Sequence, residues 1–160
     1  MFSLSTRVYV KGLSGREITD FLSTCDDDSF QRWWPGTHFQ LHTTRGVPGT
    51  IGSRILLDEM VGDRRVKMTC EVMSLVPGQQ LVWQLRRPLF RLPVKLALRF
   101  QDDDTGVQIE QSIEAGFQGA GEFLDPVFKL FCPESVARAK EEHVRAEFPR
   151  LRDFLRQEAG

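Results

Sequence analysis

The sequence predicts an α+β domain in which a seven-stranded antiparallel sheet curves around one long C-terminal helix. Three observations carry this reading. First, Pro133 to Gln157 places Val136, Ala137, Val144, Phe148, Leu151, Phe154 and Leu155 mostly three or four residues apart, a single apolar stripe. Arg138, Glu141, Glu142, Arg145, Arg152 and Arg156 occupy the other faces. Second, the middle of the chain alternates apolar and polar residues in short runs divided by Gly- and Pro-containing turns, the period of half-buried strands. Third, two short helical runs with capping residues separate the first strand from the others. The helix stripe must be buried, its partner is the strand-rich chain before it, and a helix clasped by a sheet encloses a space.

In chain order, Phe2 to Lys11 alternates, with Leu4, Thr6, Val8 and Val10 on one side, and ends at Gly12. Ser14 or Gly15 starts a short helix through Ile18, Phe21 and Leu22. The run Cys25-Asp26-Asp27-Asp28-Ser29 offers N-caps for a second helix, Phe30 to Trp34, stopped by Pro35-Gly36. Three adjacent carboxylates at a helix start read as a solvated cap in preference to a metal site.

Strands are then expected at Thr37–Thr44, Thr50–Glu59, Arg65–Leu75, Gln80–Arg87, Val94–Gln101 and Val107–Gln118, joined by turns of hairpin length. Alternation assigns Ile51, Ser53, Ile55 and Leu57 to the inner face, with Val66, Met68, Cys70 and Val72, then Leu81, Trp83 and Leu85. Val94, Leu96, Leu98 and Phe100 continue it, followed by Val107, Ile109, Gln111, Ile113, Ala115 and Phe117. Lys67, Glu71, Lys95, Arg99, Gln108, Glu110 and Glu114 face solvent in this scheme. Asp125-Pro126 begins a short helix through Phe131, and Pro149 should kink the long one near Arg145 to Phe148.

The 160 residues fit a single domain, 1–160, whose core needs no disulfide or metal staple. A content of 41% hydrophobic and 27% charged residues is that of a soluble protein, and a formal net charge of -1 gives no general attraction to nucleic acid or anionic membrane. Cys25, Cys70 and Cys132 are odd in number and lack C-x-x-C spacing, which argues against a disulfide framework or structural zinc and fits a reducing cytoplasm. Met1 to Val10 is too short an apolar run for a signal peptide, and no stretch reaches the ~18 apolar residues of a membrane span.

Several stretches carry a family resemblance: Trp33-Trp34-Pro35-Gly36, Gly49-Thr50-Ile51-Gly52-Ser53, and Val76-Pro77-Gly78-Gln79-Gln80-Leu81-Val82-Trp83. Gly119-Ala120-Gly121 and Asp125-Pro126 before the long helix belong with them. With the order of elements, they resemble the helix-grip fold of the SRPBCC (START-like) superfamily, in particular its polyketide cyclase/dehydrase-like branch. The likeness spans nearly the whole chain. Its motifs are turns, caps and packing positions, so it bears on fold more than on activity. The resemblance implies a long cavity between sheet and helix, used by different members for lipids, steroids, flavonoids or hormones, or for polyketide cyclisation. It brings no family-wide catalytic residue.

Gln111 interrupts an apolar inward series, and a buried amide needs partners: either a ligand, or a neighbouring strand's side chain or water. Ser53 and Thr43 are weaker candidates of the same kind. Trp83, Ile55, Met68, Cys70, Leu98 and Phe100, with Phe148 from the helix, describe either an apolar pocket lining or a filled core. Trp33 and Trp34 either cover a cavity entrance or pin Pro35-Gly36 to the sheet.

His38 and His42 have the spacing of helical zinc ligands, yet in a strand they lie about 13 Å apart and should not share a metal. Each is expected at an edge or surface, the alternative being a proton shuttle at a cavity mouth; His143 reads as a boundary residue. Arg86, Arg87, Arg91 and Lys95 form a basic cluster read as solvated. No nucleophile motif or phosphate loop is present, and neither metal nor cofactor is expected.

The leading functional expectation is a binder or carrier of a small hydrophobic molecule. An enzyme of the cyclase or dehydratase kind, using His38 or His42, is the second. A protein-interaction module on the outer sheet is the third. An enzyme should bring a histidine and another titratable group to one point of the cavity; a carrier need not.

Overall fold

Alternation along Phe2–Lys11 gives β1, which opens the chain with Thr6 and Val10 buried beneath it. The computed structural model describes residues 2–116 and 134–160. After β1 come α1 (Gly15–Ser23), α2 (Asp27–Trp33), β2 (His38–Arg45), β3 (Arg54–Val61), β4 (Arg64–Val76), β5 (Gln80–Arg86), β6 (Arg91–Asp102), β7 (Gly106–Ala115) and α3 (Glu134–Ala159). The seven strands form one antiparallel sheet in the order β1-β7-β6-β5-β4-β3-β2, so β1 and β2 are its edges.

Capping chemistry sets both short helices. Ser14 and Glu17 form a reciprocal capping box at α1, and Asp26 caps α2 by accepting from the Ser29 amide at 2.8 Å. The remaining aspartates of the triplet are engaged too. Asp27 accepts from the Leu41 amide and meets His42 Nδ1 at 2.8 Å, and Asp28 pairs with Arg32. Gly15 lets α1 sit on the sheet, since a Cβ there would fall 2.7 Å from both the Gly78 carbonyl oxygen and Phe100 Cβ.

Helix α3 crosses the inner face of the sheet. Its first half meets β3, where Gly62 at the β3–β4 turn has φ +63° and approaches Ala139, and His143 faces Glu59. Its second half reaches the β1 end, where Arg152 Nη1 donates to the Lys11 carbonyl at 3.2 Å and Arg156 pairs with Glu17 at 2.6 Å. Val144, Phe148, Leu151 and Phe154 are buried on this stripe together with Val10, Ile18, Val107 and Ile109. The helix runs on through Pro149 to Ala159. Among the described residues no helix is long and apolar enough to cross a membrane.

Three expectations change. The strand expected from Thr50 starts at Arg54; Thr50 to Ser53 form a turn, and Ile51, placed on the inner face by alternation, is 71% exposed there. Glu71, assigned to solvent, is buried because Arg91 Nη2 reaches it at 2.6 Å and Arg86 pairs with its other oxygen, which also converts half of the basic cluster into a clamp on the outer face. Those guanidinium groups, Arg91 foremost, hold the Glu71 carboxyl below its usual pKa. Phe117, Gln118, the short helix after Asp125, Cys132 and Pro133 lie outside the described residues.

Candidate functional site

The packing that closes the β1 end does not extend under the first half of α3. A cavity of about 340 Å³ lies there between helix and sheet. Its greasy wall comes from Leu57, Met68, Trp83, Leu96 and Ile113 on the strands and Val144 and Phe148 on the helix. Gln111, Met68, Trp83, Leu98 and Phe148 of the candidate residues line it. Ile55 and Cys70 belong to the packed core away from it, Phe100 packs against α1 at Gly15, and Ser53 closes a turn by donating its hydroxyl to the Thr50 carbonyl at 2.6 Å. Inward direction alone does not distinguish hollow from filled interior, because one strand passes through both.

Gln111 Oε1 is a buried oxygen with no hydrogen-bond partner among the described residues. The residue lies in the cavity lining, and nothing among the described residues offsets the lost hydration of that oxygen. Lys140, buried on α3, also lines the cavity.

The polar end of the cavity holds a group that the sequence reading did not assemble. Glu59 from β3 and His143 and Glu147 from α3 line it, and His38 from β2 stands behind them. His38 Nε2 lies 3.5 Å from Glu59 Oε2 and 3.5 Å from Glu147 Oε1; His143 Nε2 lies 3.4 Å from Glu59 Oε2 and 3.8 Å from Glu147 Oε2. Neither Nε2 makes a hydrogen bond among the described residues. His38 is 1% exposed and His143 7%: His38 is buried although its strand is a sheet edge, and His143 is not the boundary residue expected.

The rings are fixed by their neighbours. Phe30 stacks on His38 with centroids 3.9 Å apart, Trp33 meets it edge-on at 4.5 Å, and Trp34 stacks on His143 at 4.8 Å. Trp33 is also tied to the helix, its indole N–H donating to the Glu147 carbonyl at 2.9 Å. The tryptophan pair thus anchors the cluster, and Trp33 contributes to the cavity wall as well.

A bulge explains why His38 enters and His42 does not. His38 pairs with Glu59 and Gln40 with Asp58, so Phe39 is an extra residue on β2. It resets the alternation, so that His38 and Leu41 face inward while His42 turns to Asp27, half exposed and outside the cavity lining. The proton-shuttle role considered for His42 is thereby displaced from the cavity.

Burial pushes the Glu59 carboxyl up in pKa, and the Glu147 charge adds to this against the opposing pull of His143. For His143, burial lowers the pKa, and the neighbouring Glu59 and Glu147 more than reverse it, leaving it raised. Both directions mean that Glu59 and His143 hold their protons to higher pH than the isolated groups would. Burial also raises the Cys25 and Cys70 thiols to about 12, so neither supplies a thiolate near neutrality.

No protein-family model matches the chain, and no curated protein matches it in sequence. Its architecture does match solved structures. A protein of Thermus thermophilus aligns over 99% of this chain and 100% of its own, at TM-score 0.65 and 10% identity. Major latex-like protein 151 of Panax ginseng aligns over 89% and 96%, at 0.59 and 12%. The Aha1 protein of Colwellia psychrerythraea, a dimer in solution, aligns over 93% and 98%, at 0.53 and 14%. At these identities the likeness is one of fold, and the fold is helix-grip.

Proposed function

We propose that the protein binds a small hydrophobic molecule, of lipid, aromatic or polyketide-like class, in the cavity between the sheet and the first half of α3. The observation that carries this reading is the unfilled space itself: about 340 Å³ within a mainly apolar wall of Leu57, Met68, Trp83, Leu96, Ile113 and Phe148, with polar side chains at Gln111, at Glu59, His143 and Glu147, and at Asp63, Arg64, Ser135 and Lys140. That combination is the usual composition of small-molecule sites, in which apolar contact supplies affinity and a few polar groups orient the ligand. Gln111 is the orienting acceptor on the sheet side. Its unpaired oxygen favours a ligand that brings a hydroxyl or N–H.

The test is native mass spectrometry of freshly purified protein, with solvent extraction of any retained compound, followed by titration with an apolar fluorescent probe. Retention of a lipid or aromatic, and 1:1 probe binding weakened at least ~10-fold by Ile113→Phe, is the expected result. Probe binding indifferent to Ile113→Phe would exclude the cavity as the site. Gln111→Leu should weaken retention of a hydroxylated ligand while leaving the fold intact; unchanged retention would remove the anchor role.

A second reading, an acid–base enzyme, is favoured by one observation. His143 and Glu59 lie 3.4 Å apart at the cavity wall, a titratable pair brought to one point of the space a substrate would occupy. In this reading His143, stacked on Trp34, takes the place that the sequence suggested for His38 or His42.

A further inference from the structure

We propose that His38, Glu59, His143 and Glu147 form a binding site for a divalent first-row transition cation, for which zinc is the probe, at the polar end of the cavity. The four donor atoms, two imidazole nitrogens and two carboxylate oxygens, all lie within 4.8 Å of one another. Donors around a tetrahedral zinc at 2.0–2.1 Å sit about 3.4 Å apart, so the nitrogen-to-oxygen contacts of 3.4 to 3.8 Å are already near that spacing, and the widest pair in the group, within 4.8 Å, has to close by about 1.4 Å at most.

Hydrogen bonding at the far side of His38 points the same way. Its Nδ1 lies 3.1 Å from the Phe30 carbonyl oxygen, which can only accept, so Nδ1 carries the proton. In the neutral ring Nε2 is then a lone pair aimed between two carboxylates, with no donor offered to it among the described residues. A lone pair facing two carboxyl groups in a buried site is repulsive unless a proton or a metal cation stands between them. The outward N–H to a backbone carbonyl is also the arrangement that commonly orients a metal-bound histidine. The aromatic rings of Phe30, Trp33 and Trp34 hold both imidazoles in place before any ion arrives.

The donor set selects the class of ion. Two nitrogens among four donors disfavour magnesium and calcium, which take oxygen, and the absence of thiolate from the group disfavours the soft cuprous ion. Three of the four ligands line the cavity, so an ion held there would present any open coordination position to a molecule in it. The inference stands on the cluster alone and does not require the hydrophobic-ligand reading.

The experiment is titration of chelator-treated full-length protein at pH 7.5 with zinc against a competing indicator dye, with cobalt(II) absorption as a second readout and magnesium as the comparison ion. One zinc per chain is expected, with micromolar or tighter affinity, and magnesium should not compete. Glu59→Gln and His143→Gln should each weaken zinc at least ~100-fold, beyond what loss of an outer-sphere partner does, and abolish the cobalt ligand-field bands. His42→Gln should change neither. Circular dichroism of the metal-free variants verifies folding; if one does not fold, the other decides. Absence of saturable 1:1 binding, or zinc affinity unchanged by Glu59→Gln and His143→Gln, overturns the proposal in favour of an ion-pair cluster. Ile113→Phe separates the two readings, since it should expel the apolar probe and leave zinc binding intact.

Discussion

The two ends of the α3 interface are built from the same kinds of residue and come out differently. At the β1 end Leu151 and Phe154 meet Val10, Ile18, Val107 and Ile109 with almost no exposure. At the β3 end Val144 and Phe148 look across a void toward Met68, Trp83 and Ile113. The difference lies in what reinforces each contact. At the β1 end α1 sits against the sheet through Gly15 and touches α3 through Phe21 and Phe154, and Arg152 and Arg156 bind Lys11, Gly12 and Glu17. At the β3 end the helix is held through a polar cluster and one indole N–H, which position it over the sheet without filling the gap. Tight packing of one half can fix a helix firmly enough to keep the other half raised.

The sharpest way to break this comparison is to remove side chains at both ends. Leu151→Ala should cost about 2–5 kcal/mol in urea unfolding, whereas Met68→Ala, whose side chain already borders empty space, should cost about 1 kcal/mol or less. Equal costs would mean that the two ends are packed alike. Enlargement is the converse experiment and the next in size. Ile109→Phe should destabilise by about 1–3 kcal/mol, while Ile113→Phe, farther along the same face of β7, should be nearly neutral because its added ring enters the cavity.

The smallest effect concerns the ion pair that fastens the packed end. Arg156 holds the Glu17 carboxyl below its ordinary pKa, helped by its contacts with Ser14. A carboxylate with a lowered folded pKa stabilises above its unfolded value, ~4.3, and that contribution fades as pH falls through the folded value. Glu17→Gln should cost ~0.3–1 kcal/mol near neutrality, and its difference from the unsubstituted protein should shrink toward pH 3. A pH-independent difference would assign the effect to helix capping instead of charge.

Period and turn chemistry made the architecture readable: the seven strands, both short helices and the long one occur in the expected order and near the expected places, apart from the late start of β3 and the earlier starts of α2 at Asp27 and of β6 at Arg91. Gln111 could also be singled out, because one amide among Val107, Ile109 and Ile113 breaks a pattern. The His/Glu cluster was not legible, and the reason is physical. Glu59 falls on the inner parity of β3 after Leu57, yet a carboxylate two residues before a turn reads as its solvated end. His143 and Glu147, one turn apart on α3, carried a weak signal that needed a partner to be meaningful. His38 required the bulge at Phe39, and the residue types around it do not announce one. Nor can a list of inward residues say which of them touch one another, so Ile55, Cys70 and Phe100 could not be separated from the true cavity wall.

The extra residue at Phe39 also sits where it disturbs least. β2 is an outermost strand, hydrogen-bonded to β3 alone, so a change of phase there propagates into no further ladder. In an interior strand the same insertion would have to be absorbed by two neighbours at once. The rim is thus the part of a sheet at which a single insertion can swap an outward side chain for an inward one, and it gives a grease-lined vessel a cheap route to acquiring a basic nitrogen.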